Sequence, residues 1–170
     1  YERRFLRIGN NPPGKDANLK GLSAFPRDRL PSVLIHELFQ QTMNNFFDVG
    51  DVQVFQSVVA EGDLAGFGGE IVHPVCATFA LARDIEWTSR QFVLKLRDDD
   101  EEGIGTMLTI NHVSPAFVGE EIIFTARIQE IKGNEVICSY EARVGDRLIA
   151  YGKTGQKVLK REKINRIFNN

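Results

Sequence analysis

Alternating apolar and polar residues dominate the second half of the chain and predict four consecutive β-strands. The segments are residues 106–114, 121–131, 135–144 and 147–159. Turns that contain glycine, such as Lys132-Gly133-Asn134 and Gly145-Asp146, separate them, which is typical of β-hairpins. One face of the second segment carries Ile122, Phe124, Ala126 and Ile128, the period of a strand with one buried side. The pattern therefore predicts an antiparallel sheet with an apolar face.

A further strand and a long helix are expected before these four strands. Residues 51–60 have the pattern of a strand that runs into a glycine-rich segment, and the helix should extend from about Pro74 to Lys95. The acidic run Asp98–Glu102 should follow as a solvated loop, because it lacks the ligand spacing of an EF-hand. This order of elements predicts an α+β domain in which one helix packs on one antiparallel sheet.

The first 50 residues differ in composition from the rest. Residues 1–32 are rich in Pro, Gly, Asn and charge, which indicates irregular chain. Residues 33–47 predict an amphipathic helix, whose face could cover its own domain or bind a protein partner. That apolar face comprises Ile35, Leu38, Phe39, Met43, Phe46 and Phe47. We therefore divide the chain into an N-terminal extension (1–50), a folded domain (51–165) and a short tail (166–170).

Composition and charge narrow the class of protein. Apolar residues make up 42% of the chain, and the net charge of −2 argues against binding to nucleic acid. No apolar run approaches the roughly 20 residues that a membrane-spanning helix needs. The two cysteines, Cys76 and Cys138, form no CxxC pair, which suits a reducing intracellular compartment. The arginines in the segment YERRFLRIG are typical of chain that follows a cleaved organellar presequence. We therefore expect the protein in a reducing compartment, either the cytoplasm or the mitochondrial matrix.

Four spaced motifs carry a family resemblance. The chain has Val75-Cys76-Ala77-Thr78 at the predicted helix start and Glu86 eight residues after the threonine. Gly105-Thr106 precedes the next strand, and His112 lies seven residues past that glycine. Over residues 72–165 this spacing resembles the fluoroacetyl-CoA thioesterase family. The resemblance implies a hotdog fold, in which an antiparallel sheet wraps a central helix, and hydrolysis of an acyl thioester at a dimer interface.

Thr78, Glu86 and His112 are the catalytic residues that the resemblance implies, and thioester chemistry needs side chains of these types. Thr78 should lie near the positive end of the helix dipole, where a developing oxyanion is favoured. Glu86 lies about 12 Å further along the helix, too far for direct contact within one subunit, so a complete site requires two subunits. His112 should share a strand face with Leu108 and Ile110.

Each of these residues taken alone also has a purely structural interpretation. Thr78 is compatible with a hydroxyl that satisfies a helix-end amide, and Glu86 with a solvated helix face beside Arg83 and Arg90. His112 is compatible with a hydrogen-bonded core or interface histidine. Their joint spacing favours the catalytic interpretation.

Weaker candidates complete the predicted site. Gly105 would contact the substrate, and Lys157 would hold CoA phosphates. The segment 62–69 has two interpretations: a flap over the site with Phe67 as its apolar lid residue, or a plain loop. His36 and His73 lack a third ligand at suitable spacing, so we expect no metal. No cofactor is expected apart from the CoA of the substrate.

Two functions from different classes remain open on the sequence. The first is a homodimeric acyl-CoA thioesterase. The second is a non-catalytic hotdog subunit of a larger protein assembly, for instance in mitochondria, in which the extension 1–50 would bind a protein partner. A dehydratase of the same fold ranks below both, because no aspartate is followed by a histidine at hydratase spacing.

Overall fold

The computed structural model describes residues 47–169. The predicted helix 33–47 lies outside these residues apart from Phe47, as does His36. Phe47 packs edge-on against Phe92, with ring centroids 5.0 Å apart, and the ammonium group of Lys95 lies 5.6 Å from the centre of the Phe47 ring. The end of the extension therefore contacts the domain that follows it.

Seven strands and two α-helices form the described domain. The strands are β1 (Val52–Val58), β2 (Leu64–Phe67), β3 (Glu70–Cys76), β4 (Glu101–His112), β5 (Glu121–Lys132), β6 (Glu135–Val144) and β7 (Arg147–Lys160). The helices are α1 (Thr78–Leu96) and α2 (Arg161–Phe168), and a 3-10 turn spans Glu61–Asp63. No helix among the residues from 47 to 169 is long and apolar enough to cross a membrane.

The sheet has five antiparallel strands in the order β1-β5-β6-β7-β4, and α1 contacts every one of them. β2 and β3, which lie between β1 and α1 along the chain, form a separate two-stranded hairpin. Consecutive strands β5, β6 and β7 are joined by tight turns, and β4 adds to the far side of β7. β1 and β4 are therefore the two edges of the sheet.

The core lies between α1 and the inner face of the sheet. Leu81, Ile85 and Phe92 recur at helical spacing on α1 and are at most 1% exposed. They pack against Phe55, Phe124, Ile122, Ile128, Val136 and Ile149 of the strands and the adjoining chain. Each fully buried side chain of this size stabilises the fold by about 1.5–3 kcal/mol. The helix is thereby fixed along its length, and its first residue is held close to the end of β4.

The start of the helix differs from the sequence prediction. α1 begins at Thr78 instead of near Pro74, because β3 continues to Cys76 and pairs with β2. The backbone N–H of Cys76 donates to the carbonyl of Ala116, and that of Ala77 donates to Asp63. The glycine-rich segment 62–69 is thus part of a β-hairpin and not a plain loop. Because these backbone hydrogen bonds hold Cys76 and Ala77 in extended chain, the helix begins four residues later than predicted.

The prediction of a solvated acidic loop is wrong for the last two residues of the run. Glu101 and Glu102 belong to β4, and Glu101 is only 8% exposed. The carboxylate of Glu102 accepts hydrogen bonds from three guanidinium groups, those of Arg90, Arg97 and Arg161. Three positive partners on distant elements stabilise a carboxylate that would otherwise stay in water.

Helix α2 was not predicted either. It follows β7 directly and covers most of the segment assigned to the tail, with Ile164 as its one buried residue. Eight residues give only about two turns over which a helical period can be recognised, and helices this short depend on packing.

Candidate active site

Thr78 and His112 meet although 34 residues separate them in sequence. Thr78 is the first residue of α1, and His112 is the last residue of β4. The Thr78 Oγ1 atom lies 3.1 Å from Nε2 of His112, within hydrogen-bond distance. Both side chains are exposed in the single subunit. A hydroxyl and an imidazole in this contact can exchange a proton, and both remain open to a ligand.

The first turn of α1 adds backbone donors beside this pair. Ala77 precedes the helix, and no side chain caps the helix start. The Ala77 N–H itself is used by the carbonyl of Asp63. The amides that follow point along the helix axis towards the Thr78 end, where the helix dipole favours negative charge. This arrangement can bind the oxygen of a polarised carbonyl group.

Glu86 lies on a different part of the subunit. Its half-buried carboxylate faces Gly105 so closely that a Cβ atom at residue 105 would lie 2.8 Å from Oε1. A cavity of about 350 Å³ surrounds it, lined by Arg83, Glu86, Trp87, Arg90, Gly105 and Gln156. Within residues 47–169 the Glu86 carboxylate forms no hydrogen bond or ion pair, because Arg83 binds Asp63 and Asp84 whereas Arg90 binds Glu102.

One subunit therefore keeps the three predicted residues in two groups. Eight helical residues place Glu86 about 12 Å along α1 from Thr78. His112 lines another cavity, of about 290 Å³, to which neither Glu86 nor Gly105 contributes. The structure brings Thr78 and His112 together and leaves Glu86 apart.

A β-bulge in β4 aligns these two groups on one face of the sheet. Gly105 pairs with Gln156 and Met107 pairs with Gly155, so Thr106 is an extra residue in the strand. The extra residue shifts the alternation by one, and Gly105 consequently points to the same side as Leu108, Ile110 and His112. Without the bulge, Gly105 would face away from α1. The sequence pattern gave no sign of this shift.

Gln156 is a further residue of the site that the sequence analysis missed. It is only 5% exposed, and its Nε2 atom donates to the carbonyl of Glu86 at 3.1 Å and to Oγ of Ser89 at 3.2 Å. These bonds tie β7 to the turn of α1 that carries Glu86. The sequence signal that could have identified Gln156 is its position: it is a polar residue on the inward face of β7, two residues before the apolar Val158.

A charged network next to Thr78 was missed as well. Asp84 is 3% exposed and accepts hydrogen bonds from Ser57 and Arg83, and Arg83 also reaches Asp63. The hydrogen bond with Asp84 raises the pKa of Arg83 above its usual value, so the guanidinium stays charged. Because Asp63 accepts the Ala77 N–H, this network fixes the chain at the entrance to α1.

Comparison with known proteins identifies the family to which this arrangement belongs. The family model of the fluoroacetyl-CoA-specific thioesterase FlK matches residues 59–162, which include Thr78, Glu86 and His112. This chain belongs to the fluoroacetyl-CoA-specific thioesterase family. The chain is therefore a thioesterase, an enzyme that hydrolyses a thioester, and the resemblance inferred from the motif spacing is confirmed.

Solved structures agree with this assignment and confirm the hotdog fold. A thioesterase superfamily member from Thermus thermophilus is 31% identical, with a TM-score of 0.69 over 72% of this chain and 90% of that one. The fluoroacetyl-CoA thioesterase FlK is 21% identical, with a TM-score of 0.67 over 72% and 96%. A hot-dog-like protein from Thermanaerovibrio acidaminovorans is 18% identical, with a TM-score of 0.68 over 75% and 95%. No curated protein sequence matches the chain.

The remaining predicted residues of this thioesterase lie further from the two groups. Phe67 ends β2 at the tip of the hairpin and is 77% exposed. Lys157 alternates with the inward Gln156 and so lies on the outer face of the sheet, where its Nζ is 3.7 Å from Glu135. His73 is exposed on β3, and no group of three or more metal-binding side chains occurs between residues 47 and 169.

Proposed function

We propose that this thioesterase hydrolyses acyl-CoA at two equivalent sites, each built by both subunits of a homodimer. The observation that carries the proposal is the 3.1 Å contact of Thr78 with His112, combined with a Glu86 that the same subunit holds out of reach. A second subunit is the simplest source of the missing carboxylate. The proposal also assigns the partner contact to a specific strand.

β4 is the expected dimer strand, because it is a sheet edge and carries both His112 and Gly105. A two-fold axis perpendicular to the sheet pairs β4 with its copy in antiparallel fashion and keeps each residue on its own face. If Thr109 lies opposite its own copy, the bulge at Thr106 brings Gly105 opposite the partner subunit's His112. Residues opposite each other in such a pair have Cα atoms about 4.5–5.5 Å apart.

This register supports a complete catalytic set. Glu86 lies against Gly105, so pairing Gly105 with the partner's His112 brings the carboxylate beside the partner's imidazole and hydroxyl. Each site then uses Thr78 and His112 from one subunit and Glu86 from the other. The two sites are equivalent by symmetry.

The proposed mechanism divides hydrolysis among these groups. The first-turn amides of α1 and the Thr78 hydroxyl bind the carbonyl oxygen as it gains negative charge. Glu86 either removes a proton from the attacking water or attacks the carbonyl carbon itself, in which case water releases the acid in a second step. His112 supplies a proton to the departing thiolate and regains one from the attacking water, either directly or through Glu86. The net reaction converts a thioester and water into a carboxylic acid and a thiol.

CoA is the proposed thiol portion of the substrate. FlK, a member of the same family, has been solved with acetyl-CoA and with fluoroacetate and CoA. Transfer of this preference to the present chain is part of the proposal, in which Gly105 contacts the bound thioester, Phe67 covers the acyl end and Lys157 contacts CoA phosphates. The outward position of Lys157 restricts that last role to the part of CoA outside the cavity.

A subunit-mixing experiment tests the shared site. We expect Thr78→Ala and Glu86→Ala homodimers to release little thiol from acyl-CoA in a DTNB-coupled assay. Their mixed dimer should recover about half of the wild-type rate, because one of its two sites contains neither substitution. The matched control mixes Thr78→Ala with His112→Ala, which occupy the same subunit of each site, and should recover nothing.

Three results would contradict the proposal. Wild-type protein without thiol release above buffer would refute acyl-CoA hydrolysis. Failure of the Thr78→Ala and Glu86→Ala pair to recover activity would place the whole site in one subunit. A clean monomer by light scattering at micromolar concentration would refute the dimer.

The alternative of a non-catalytic assembly subunit has less support from the structure. Phe47, the described end of the extension, packs on Phe92 of its own helix α1 and so contacts its own domain instead of a partner. A protein partner for residues 1–50, and location in the cytoplasm or mitochondrial matrix, remain proposals. Co-purification with and without residues 1–46 would test the first, and fractionation of cells would test the second.

A further inference from the structure

A cavity of about 290 Å³ opens directly beside the proposed reacting groups. His112 forms part of its wall together with Val75, Cys76, Leu81, Val113, Ser114, Pro115, Ala116 and Ile149. Leu81, Ala116 and Ile149 are each 1% exposed and form a floor that reaches the core, whereas Val113 is 55% exposed and lies at the rim. The cavity therefore extends from the catalytic histidine towards the centre of the domain.

The side chains that line this cavity are mostly apolar. Ser114 uses its hydroxyl to donate to the carbonyl of Leu148 at 2.5 Å, so this polar group already has a partner. Burial, followed by the nearby carboxylates of Asp63 and Asp84, raises the pKa of the Cys76 thiol to about 11, which keeps it neutral. Apart from His112 and this neutral thiol, none of the described lining residues has an ionisable side chain.

The cavity around Glu86 differs in that charged side chains line it. Arg83, Arg90 and Glu86 bring charges to its wall, and Gln156 adds an amide. In the proposed dimer the two cavities face each other across β4, so a bound thioester meets an apolar space on one side and a charged space on the other. An apolar chain is stabilised in the first space and an ionised group is not.

We propose that the cavity beside His112 holds the acyl chain, and that the preferred substrates are acyl-CoA thioesters with an uncharged chain of about four to six carbons. This inference rests on the proposed function and specifies its substrate class. A volume of about 290 Å³ equals that of roughly ten water molecules at about 30 Å³ each, which is more than an acetyl group fills. Each buried methylene should tighten binding about fourfold.

Binding of non-hydrolysable thioethers tests the inference without requiring turnover. We expect the affinity measured by calorimetry to rise at least tenfold from ethyl-CoA to hexyl-CoA. Carboxypropyl-CoA should bind at least tenfold more weakly than butyl-CoA, because its carboxylate would enter an apolar cavity. Equal affinities for the four ligands, or tighter binding of the carboxylated one, would overturn the inference.

A substitution at the rim localises the effect. Val113→Phe narrows the entrance without altering the buried floor, so it should abolish the gain of hexyl-CoA over ethyl-CoA and leave ethyl-CoA affinity within twofold. The matched control is Val49→Phe, which changes another exposed valine, 65% exposed, in the turn before β1 and should preserve the gain. An equal loss for both ligands in Val113→Phe would overturn the assignment of this cavity to the acyl chain.

Turnover separates this inference from the proposed function. Comparable kcat/KM values for acetyl-, butyryl- and hexanoyl-CoA would support the thioesterase proposal and overturn the chain preference. Chain-length-dependent binding without release of thiol would support the cavity assignment and overturn acyl-CoA hydrolysis.

Discussion

Two regions of β4, one at His112 and one at Gly105, lie next to different kinds of reactive group. At the His112 end, the hydroxyl of Thr78 and the imidazole lie 3.1 Å apart, both exposed, beside an apolar cavity. At the Gly105 end, a half-buried Glu86 carboxylate faces the strand backbone within a charged cavity. In the proposed mechanism, one end supplies proton transfer and the other supplies a carboxylate. A single chain thus has both the Thr78–His112 pair and the Glu86 carboxylate but holds them apart. In the proposed dimer, a two-fold axis through β4 would bring the pair of one subunit next to the carboxylate of the other.

The largest predicted effect comes from the His112 end. His112→Ala should lower kcat/KM by between about a hundredfold and ten-thousandfold, since positioned proton transfer contributes that much to catalysis. The side chain is exposed, so the melting temperature should change little. His73→Ala, which removes another exposed histidine on β3, is the control and should retain the wild-type rate. Similar rates for both variants would remove His112 from the mechanism.

The next effect tests the close approach at the Gly105 end. Gly105→Ala adds a Cβ atom that would lie 2.8 Å from Oε1 of Glu86, so the carboxylate must shift. We expect kcat to fall at least tenfold, as misplacement of a reacting group by about 1 Å is sufficient for such a loss. Gly62→Ala, where no atom lies within 4 Å of the added carbon, is the matched control in steady-state kinetics. Unchanged kcat in Gly105→Ala would dissociate this end of β4 from catalysis.

A smaller effect should follow from the support behind Glu86. Gln156→Leu removes the donors to the Glu86 carbonyl and to Ser89, and we expect the free energy of unfolding in urea to fall by about 1–3 kcal/mol. Gln91→Leu is the control, because Gln91 donates only to the Trp87 carbonyl of its own helix, at a less buried site. Its loss should be at most a few tenths of a kcal/mol. An equal loss in both variants would mean that β7 does not specifically support Glu86.

The smallest effect concerns pH and Glu102, which binds Arg90 beside the charged cavity. Burial acts to raise the pKa of Glu102, but the Gly103 N–H and the Arg90 guanidinium outweigh it, so the pKa lies below its usual value. A lowered pKa means that the folded protein favours the ionised form of Glu102. This ionised carboxylate stabilises the fold at pH values above the pKa of the unfolded chain, about 4.3. The stabilisation is lost as the pH falls through the lower pKa of Glu102 in the folded protein.

Glu102→Gln should therefore lower the free energy of unfolding by about 1–2 kcal/mol at pH 7. The difference from wild type should shrink progressively below about pH 4. Urea titrations at both pH values measure it, and Glu121→Gln, at an exposed glutamate that begins β5, should show little difference at either pH. A difference independent of pH would assign the role of Glu102 to packing instead of charge.

The sequence predicted the strands more accurately than the junctions between elements. The predicted ranges 121–131 and 135–144 agree with β5 and β6 to within one residue, because alternation and glycine turns are local signals. The start of α1 was placed four residues early, since the backbone there is bonded to residues far apart in sequence, Cys76 to Ala116 and Ala77 to Asp63. The acidic run was assigned to solvent because its three arginine partners lie on α1, at the end of α1 and at the start of α2.

The sequence by itself determined the family and the order of the main elements, one strand, a long helix and then four strands, because spacing along a chain is a property of the sequence. The same spacing is what predicts catalytic roles for Thr78, Glu86 and His112. Tertiary structure alone decided how these residues are grouped. Packing of α1 on the sheet brings Thr78 to the end of β4, and the extra residue Thr106 turns Gly105 towards Glu86. Local patterns do not encode distances between residues that are remote in sequence. A contact across 34 residues and a one-residue bulge emerge only when the helix and the sheet bury their shared apolar surface.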